Sequence, residues 1–471
     1  MKSIFIKLCT GSIIFSACNT NQRPIHQKPN IIFIITDDQQ TGLLGLEGNP
    51  VVKTPNIDRI GNEGVIFRNF FAVTPLSSPS RASFLTGQYA HKHGVINNDK
   101  VGMDVISHTL MTWPRQLHEA GYKTAFIGKW HMGLDDSRRP GFDRWLSFKG
   151  QGIYINGVVN DDGFQRQIKG YMTDYINDQA AAFIKMQSKK NEPFAMVVSH
   201  KAIHWPILPA KEYDSSYAGY EFKTTPPGED DLKGKPLLTR AVTEADWSSL
   251  EGIVPEPAEP RRDRGMDPAS IVRDQLHCLR SVDDGAGAIF DALDKIGQLD
   301  NTIIIFTSDN GMLMGEHGQV NVKRWAYDPA IRVPLLIRYP KIIPPGSTRD
   351  QMLLNIDIAP TLLELAGVKS IIPLHGQSFV PVLNNADAVG RKSFLAEYFL
   401  EKVNPGNPSW KAVRTEQFKY IRYSDDTGGI EELYDLKADP HEENNLIADP
   451  SSKSIAEDLR QQLDKLLLET M

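Results

Sequence analysis

Two polar pairs in this sequence stand at the ends of apolar runs. Asp37-Asp38 follows Asn30–Thr36, and Asp309-Asn310 follows Thr302–Thr307. If the runs are strands of one parallel sheet, both pairs lie at strand carboxyl ends, the edge where such sheets bind ligands. Carboxylate and amide oxygens converging there, without thiol or imidazole, suit a hard divalent cation such as Ca2+ or Mg2+. An aspartate after a strand also caps the next helix, and either pair alone is better read that way. A third stretch, Ser77-Ser78-Pro79-Ser80-Arg81, is weak in isolation because short Ser/Pro turns are common.

Those residues need a scaffold, and the rest of the chain describes one. It has 471 residues, 41% apolar and 23% charged, which excludes disordered, collagenous and multi-pass membrane proteins. Lys and Arg total 52 against 58 Asp and Glu, a net charge of −6 without a basic run, so nucleic acid is not an expected partner. Three cysteines give neither a disulfide framework nor a zinc spacing, and Cys278 is expected to be buried and inert. Unbroken apolar runs recur at Thr124–Ile127, Phe194–Ser199 and Val333–Ile337. Helical stripes separate them: Ile176, Ala180, Phe183 and Ile184 share one face, and Ile289, Leu293 and Ile296 another. This alternation predicts a large mixed or parallel α/β sheet covered by helices on both faces. The proline-rich stretch 206–268 reads as a surface insertion of the kind that forms binding loops. Beyond about residue 375, Phe418–Tyr423 and Glu432–Leu436 alternate like antiparallel strands, and a last helix carries Ile455, Leu459, Leu463 and Leu466. Residues 29–374 are therefore expected to form the main domain and 375–471 a smaller α+β subdomain.

The stretch from Ser77 to Gly87, Ser-Ser-Pro-Ser-Arg-Ala-Ser-Phe-Leu-Thr-Gly, resembles the first signature of the sulfatase family, [C/S]-x-P-S-R-x-x-x-L-T-G. Gly121–His131, ending Gly128-Lys129-Trp130-His131, resembles the second. The resemblance continues through Asp37-Asp38, Ser308-Asp309-Asn310-Gly311, Gly315-Glu316-His317-Gly318 and Glu432-Leu433-Tyr434-Asp435-Leu436 with Asp439-Pro440. It implies an alkaline-phosphatase-like fold and a sulfuric-ester hydrolase in which Ser77 is oxidised to formylglycine (3-oxoalanine), whose hydrate is the nucleophile. It also implies one metal ion, Ca2+ ahead of Mg2+, held by Asp37, Asp38, Asp309 and Asn310 and touching the oxygen at position 77. By the same resemblance Arg81 steadies the modified residue, Lys129 and Lys323 bind sulfate oxygens, and His131 takes the proton that releases the covalent sulfate. His204, in His200-Lys201-Ala202-Ile203-His204-Trp205-Pro206, matches the histidine beside the leaving oxygen and is preferred to His200. His91, His93 and His317 are read as backbone hydrogen-bonders or loop supports, and Trp130 and Trp205 as core in preference to pocket-shaping residues. Most relatives carry cysteine where this chain has Ser77, so the expected maturing partner is a radical enzyme of the kind found in anaerobic bacteria.

Lys2 and Lys7, an apolar stretch through Ile13-Ile14-Phe15, and Ser16-Ala17-Cys18 read as a lipoprotein signal. Residues 1–17 are then a leader, and 18–28 a tether lipidated at Cys18. The expected protein is a periplasmic or outer-membrane lipoprotein that touches the membrane only through that lipid. Its expected substrates are O-sulfated saccharides of glycosaminoglycans, mucins or algal glycans. A phosphoester or phosphonate hydrolase using Ser77 directly, or a non-catalytic glycan-binding relative, are the alternatives.

Overall fold

The computed structural model describes residues 28–99, 102–188, 192–213, 215–217, 220, 232–241, 268–402 and 404–471. The leader 1–17, nearly all of the 18–28 tether with Cys18, and most of the 206–268 insertion lie outside the described residues.

The chain opens with β1 (Asn30–Thr36), then the helix α1 (Pro55–Asn62), β2 (Val65–Phe67) and the short β3 (Phe70–Phe71). The helix α2 (Ser77–Thr86) is next. β4 (Lys123–Gly128), β5 (Arg144–Ser147), β6 (Val158–Asp161) and β7 (Phe164–Gln167) follow. β8 (Phe194–Ser199) and β9 (Thr302–Ser308) precede a hairpin of β10 (Leu313–Met314) and β11 (Val320–Val322). β12 (Leu335–Arg338), β13 (Ser347–Arg349) and β14 (Leu353–Leu354) complete the larger unit.

Ten of these strands form one sheet in the order β13-β2-β12-β9-β1-β8-β4-β5-β6-β7. Its centre, β9-β1-β8-β4-β5, is parallel, while β12, β6 and β7 run antiparallel to their neighbours. β1 is apolar on both faces because both are covered. Ile32 and Ile34 pack with Ile176 and Ile184 of the helix Met172–Met186 and with Val282 and Leu293 of the helix Pro268–Lys295. Ile31, Phe33 and Ile35 pack against the other layer, where Phe33 meets Phe84 of α2 and Trp113 at centroid distances of 5.4 and 6.3 Å.

The smaller unit is a four-stranded antiparallel sheet of β15 (Ser393–Tyr398), β16 (Trp410–Thr415), β17 (Phe418–Tyr423) and β18 (Glu431–Asp435). The helix Lys453–Thr470 covers it with Ala456, Leu459 and Leu463. Phe379, Val382 and Leu383 still pack with the larger unit's core. This two-unit architecture, a helix-covered mixed sheet plus a small antiparallel one, is the fold class the sequence predicts.

Candidate active site

Strand register brings the polar residues to one edge. Thr36 pairs with Ser308, Ile35 with Ser199, and Ser199 with Gly128, so β1, β9, β8 and β4 end side by side. The residue after each strand continues the ladder. The amides of Asp309, His200 and Lys129 donate to the carbonyls of Thr36 (3.1 Å), Ile35 (2.9 Å) and Ser199 (2.7 Å). Asp37, Asp309, Lys129 and His200 therefore emerge from four adjacent strands.

Asp38 turns inward with a φ of 65°, a left-handed conformation that Asp adopts more readily than most residues. Its amide donates to Asp309 Oδ1 at 3.0 Å, and Asn310 Nδ2 donates to Asp38 Oδ1 at 2.7 Å. Over this cluster lies α2, buried along its whole length although four of its first five residues are Ser or Arg. Buried polar groups require partners, and α2 finds them at the site. Ser80 donates to the Asp309 carbonyl and Ser78 to the His131 carbonyl. Arg81 donates from Nε to Asp309 Oδ2 at 2.9 Å and from Nη1 to Ser199 Oγ at 2.6 Å. Ser77 is the first helical residue, and its Oγ lies 3.2 Å from Asp37 Oδ1 and 3.5 Å from Asn310 Oδ1.

Three cations face three carboxylates. Lys129, fully buried, donates to Asp37 and to Gln151. Lys323 Nζ reaches Asp38 Oδ1 at 2.5 Å and Ser77 Oγ at 3.0 Å. Burial alone would raise the Asp37 carboxyl, but Lys129 and the other cations hold it well below the usual range. Asp309, pressed by burial and by the charge of Asp37, is pushed up to about 6. Burial and the Lys129 charge drive both His131 and His204 well below 6.5. His204 Nε2 stands 3.6 Å from Asp38 Oδ2, and its Nδ1 donates to the Trp205 carbonyl.

The donor set fits a hard cation: carboxylates of Asp37, Asp38 and Asp309, the Asn310 amide oxygen and Ser77 Oγ. Asp38 Oδ2 is buried without a hydrogen-bond partner among the described residues. Ligand atoms of Asp37, Asp38 and His204 lie within 4.8 Å of one another. The structure thus gathers Asp37, Asp38, Ser77, Arg81, Lys129, His131, His204, Asp309, Asn310 and Lys323 at one sheet edge. His91 and His317 lie elsewhere, on Glu397 and against the Tyr327 ring.

Several supporting residues were not legible. Gln151 lies in a Gly150-Gln151-Gly152 loop that carries no chemical signature. Tyr154 donates from its hydroxyl to the His204 carbonyl at 3.0 Å. Lys201 is buried with its ammonium 4.9 Å from the Tyr154 ring centroid, and burial pushes it down to about 7. It sits inside a stretch already singled out, between His200 and His204.

A sequence model of the sulfatase family matches residues 29–368, and one described as "N-sulphoglucosamine sulphohydrolase, C-terminal" matches 315–469. An N-acetylglucosamine-6-O-sulfatase of Bacteroides thetaiotaomicron is 34% identical, over 97% of this chain and 89% of that protein. An N-acetylglucosamine-6-sulfatase of Capra hircus is 30% identical, over 89% of this chain and 80% of its own length. A solved structure described as being in complex with its substrate, D-glucosamine-2-N,6-O-disulfate, superposes with a TM-score of 0.81 at 34% identity, covering 93% of this chain and 97% of that one.

Proposed function

The chain belongs to the sulfatase family, and from that premise we propose that it removes the 6-O-sulfate of glucosamine-type saccharides. The observation that carries this reading is Ser77 Oγ, placed at the head of α2 between Lys323 and the Asp37–Asn310 oxygen cluster. The names of the similar proteins supply the sugar and the position.

Asp37, Asp38, Asp309 and Asn310 would hold Ca2+, which would supply a Lewis acid for the sulfate group, and Ser77 oxidised to formylglycine would supply the nucleophilic oxygen. Lys129 and Lys323 hold sulfate oxygens and oppose the negative charge that builds as the ester bond breaks. Arg81 fixes α2 against Asp309 and keeps position 77 aimed at the cluster. His131 accepts the proton whose loss frees the enzyme-bound sulfate. His204 keeps its Nδ1 proton on a carbonyl, so a second proton, taken up from solvent, goes to Nε2, the nitrogen that then hands it to the departing sugar oxygen. A bound sulfate ester raises the proton affinity of that imidazole by adding negative charge beside it.

Export through residues 1–17 and lipidation at Cys18 belong to the same reading. Among the described residues no helix is long and apolar enough to cross a membrane.

The test is turnover by protein co-produced with a serine-accepting radical maturase. N-acetylglucosamine-6-sulfate should be hydrolysed, and the corresponding 6-phosphate should not. Chelation should abolish turnover, and Ca2+ should restore it better than Zn2+. Preferred hydrolysis of the phosphate would overturn the assignment.

A further inference from the structure

The active-site residues all come from the larger unit, yet two of their supports end on one side chain of the smaller one. Glu401, in the loop between β15 and β16, is fully buried. Its Oε1 accepts the Asn98 amide at 3.1 Å, and Asn98 Oδ1 in turn accepts the Ser78 amide at 3.0 Å. That amide belongs to the first turn of α2, where backbone donors have no intrahelical partner. The residue beside Ser77 is thus capped at one remove by Glu401.

The second support runs through Arg324, the residue after Lys323. Arg324 has a φ of 83°, a conformation costly for a residue with a Cβ unless its surroundings impose it. Three contacts do so. Its amide donates to the Pro75 carbonyl at 3.2 Å, just ahead of Ser77, and its own carbonyl accepts Trp410 Nε1 at 2.8 Å. Its guanidinium Nε donates to Glu401 Oε2, which Tyr398 Oη also approaches at 3.2 Å. Held this way, the chain delivers Lys323 Nζ to 3.0 Å from Ser77 Oγ.

We propose that Glu401 is a positioning residue for the sulfatase reaction, setting the distance between position 77 and Lys323 from the smaller unit. Its two oxygens divide the work, one toward the Ser78 amide and one toward the Lys323–Arg324 turn. This rests on the functional reading above, so one readout must be independent of turnover. Glu397 is the control: it is a buried carboxylate of the same unit, bound to His91 and Lys411, with no hydrogen bond or ion pair to Ser77, Ser78, Lys323 or Arg324 among the described residues.

The experiment compares Glu401→Gln, Glu397→Gln, Lys323→Ala and the Glu401→Gln/Lys323→Ala double variant, all co-produced with the maturase. Misplacing reacting groups by an ångström can cost about a hundredfold, so kcat should fall about 10- to 100-fold in Glu401→Gln. KM should stay within about twofold, and the modified fraction of position 77, read by peptide mass, should be unchanged. Glu397→Gln should keep its kcat whatever its melting temperature does. In the Lys323→Ala background, Glu401→Gln should add much less than it does alone, because part of its effect passes through that lysine. Amide exchange should rise in peptides covering residues 77–80 and 320–326 of Glu401→Gln but not of Glu397→Gln. Unchanged exchange, or full multiplication of the two kcat losses, would overturn the proposal. Wild-type protein inert toward sulfate esters but with the expected exchange difference would overturn only the functional reading.

Discussion

His204 illustrates how much a single hydrogen bond fixes. A carbonyl can only accept, so the Trp205 oxygen sets the imidazole tautomer and leaves Nε2 facing Asp38. A sugar alkoxide is a poor leaving group and a nitrophenolate a good one. His204→Ala should therefore lower kcat/KM on a sugar sulfate by about 10²–10⁴-fold and on 4-nitrophenyl sulfate far less; equal losses would place His204 in sulfate binding instead. The proposed oxidation of Ser77 would remove two hydrogens, so the peptide carrying it should be lighter by that mass in active protein. Ser77→Cys should regain activity with a cysteine-specific maturase and Ser77→Ala with none. Full activity from protein whose Ser77 is intact by mass would make serine the direct nucleophile. These residues could be read from the sequence because each lies in a short contiguous motif. Gln151, Asn98 and Glu401 could not, since they reach the site across strand ends or between units and their neighbours in sequence say nothing of it.

The elements were legible where burial is two-sided. β1, β8 and β9 are buried on every residue and apolar through their centres because helices cover both faces, and the end of such a run marks the functional edge. Direction was not legible: Leu335–Arg338 is as apolar as β9 and yet runs against it. A buried run has no period that distinguishes parallel from antiparallel. The junction between the helix Ala90–His93 and β15 was likewise hidden, because it depends on charge pairing at a distance in sequence. There His91 presents Nδ1 to Glu397 at 2.9–3.0 Å and Nε2 to the Thr470 carbonyl at 2.8 Å, an arrangement with acceptors on both sides that favours the protonated ring. Burial opposes that charge, but Glu397 outweighs it and raises His91 above 6.5. Glu397 is held from 4.5 down to about 2 against burial, by the His91 hydrogen bond and the Lys411 charge. Tyr89, stacked on the His91 ring at 5.6 Å, His93, His375 and Lys411 are further charged or titratable groups facing this pair. A raised His contributes stability that is complete below 6.5 and lost as pH climbs through the folded value. A depressed Glu contributes stability present above 4.5 and lost as pH falls toward 2. The clamp is thus strongest between these limits. His91→Gln should lower the melting temperature most near about pH 5.5 and progressively less toward pH 9; a gap that widens with pH would contradict the assignment.

At the scale of the whole molecule, the seam between the units is built partly from buried charge. Lys419 of β17, fully buried, donates to Asp328 Oδ1 of the larger unit at 2.7 Å and to Glu442 Oε1 at 2.6 Å. Arg414 of β16 grips the same aspartate through both oxygens at 3.2 and 3.1 Å, and Glu442 Oε2 accepts the Asp328 amide at 2.7 Å. Nothing in the sequence pairs these residues, although each unit's own pattern is clear. Removing one partner of a buried ion network leaves uncompensated charge, which costs about 3–5 kcal/mol. Glu442, already pushed up to about 7 by burial, can take a proton when the ammonium goes, and Asp328 keeps Arg414. Lys419→Met should therefore sit near the lower end, about 3 kcal/mol. Because the seam also carries Glu401 and Trp410 toward Lys323, loosening it should reach the active site. Calorimetry of Lys419→Met should show one transition displaced downward, with sulfatase activity lost across the same temperatures. Two separated transitions, with activity surviving the first, would show that the larger unit holds its catalytic edge without the smaller one.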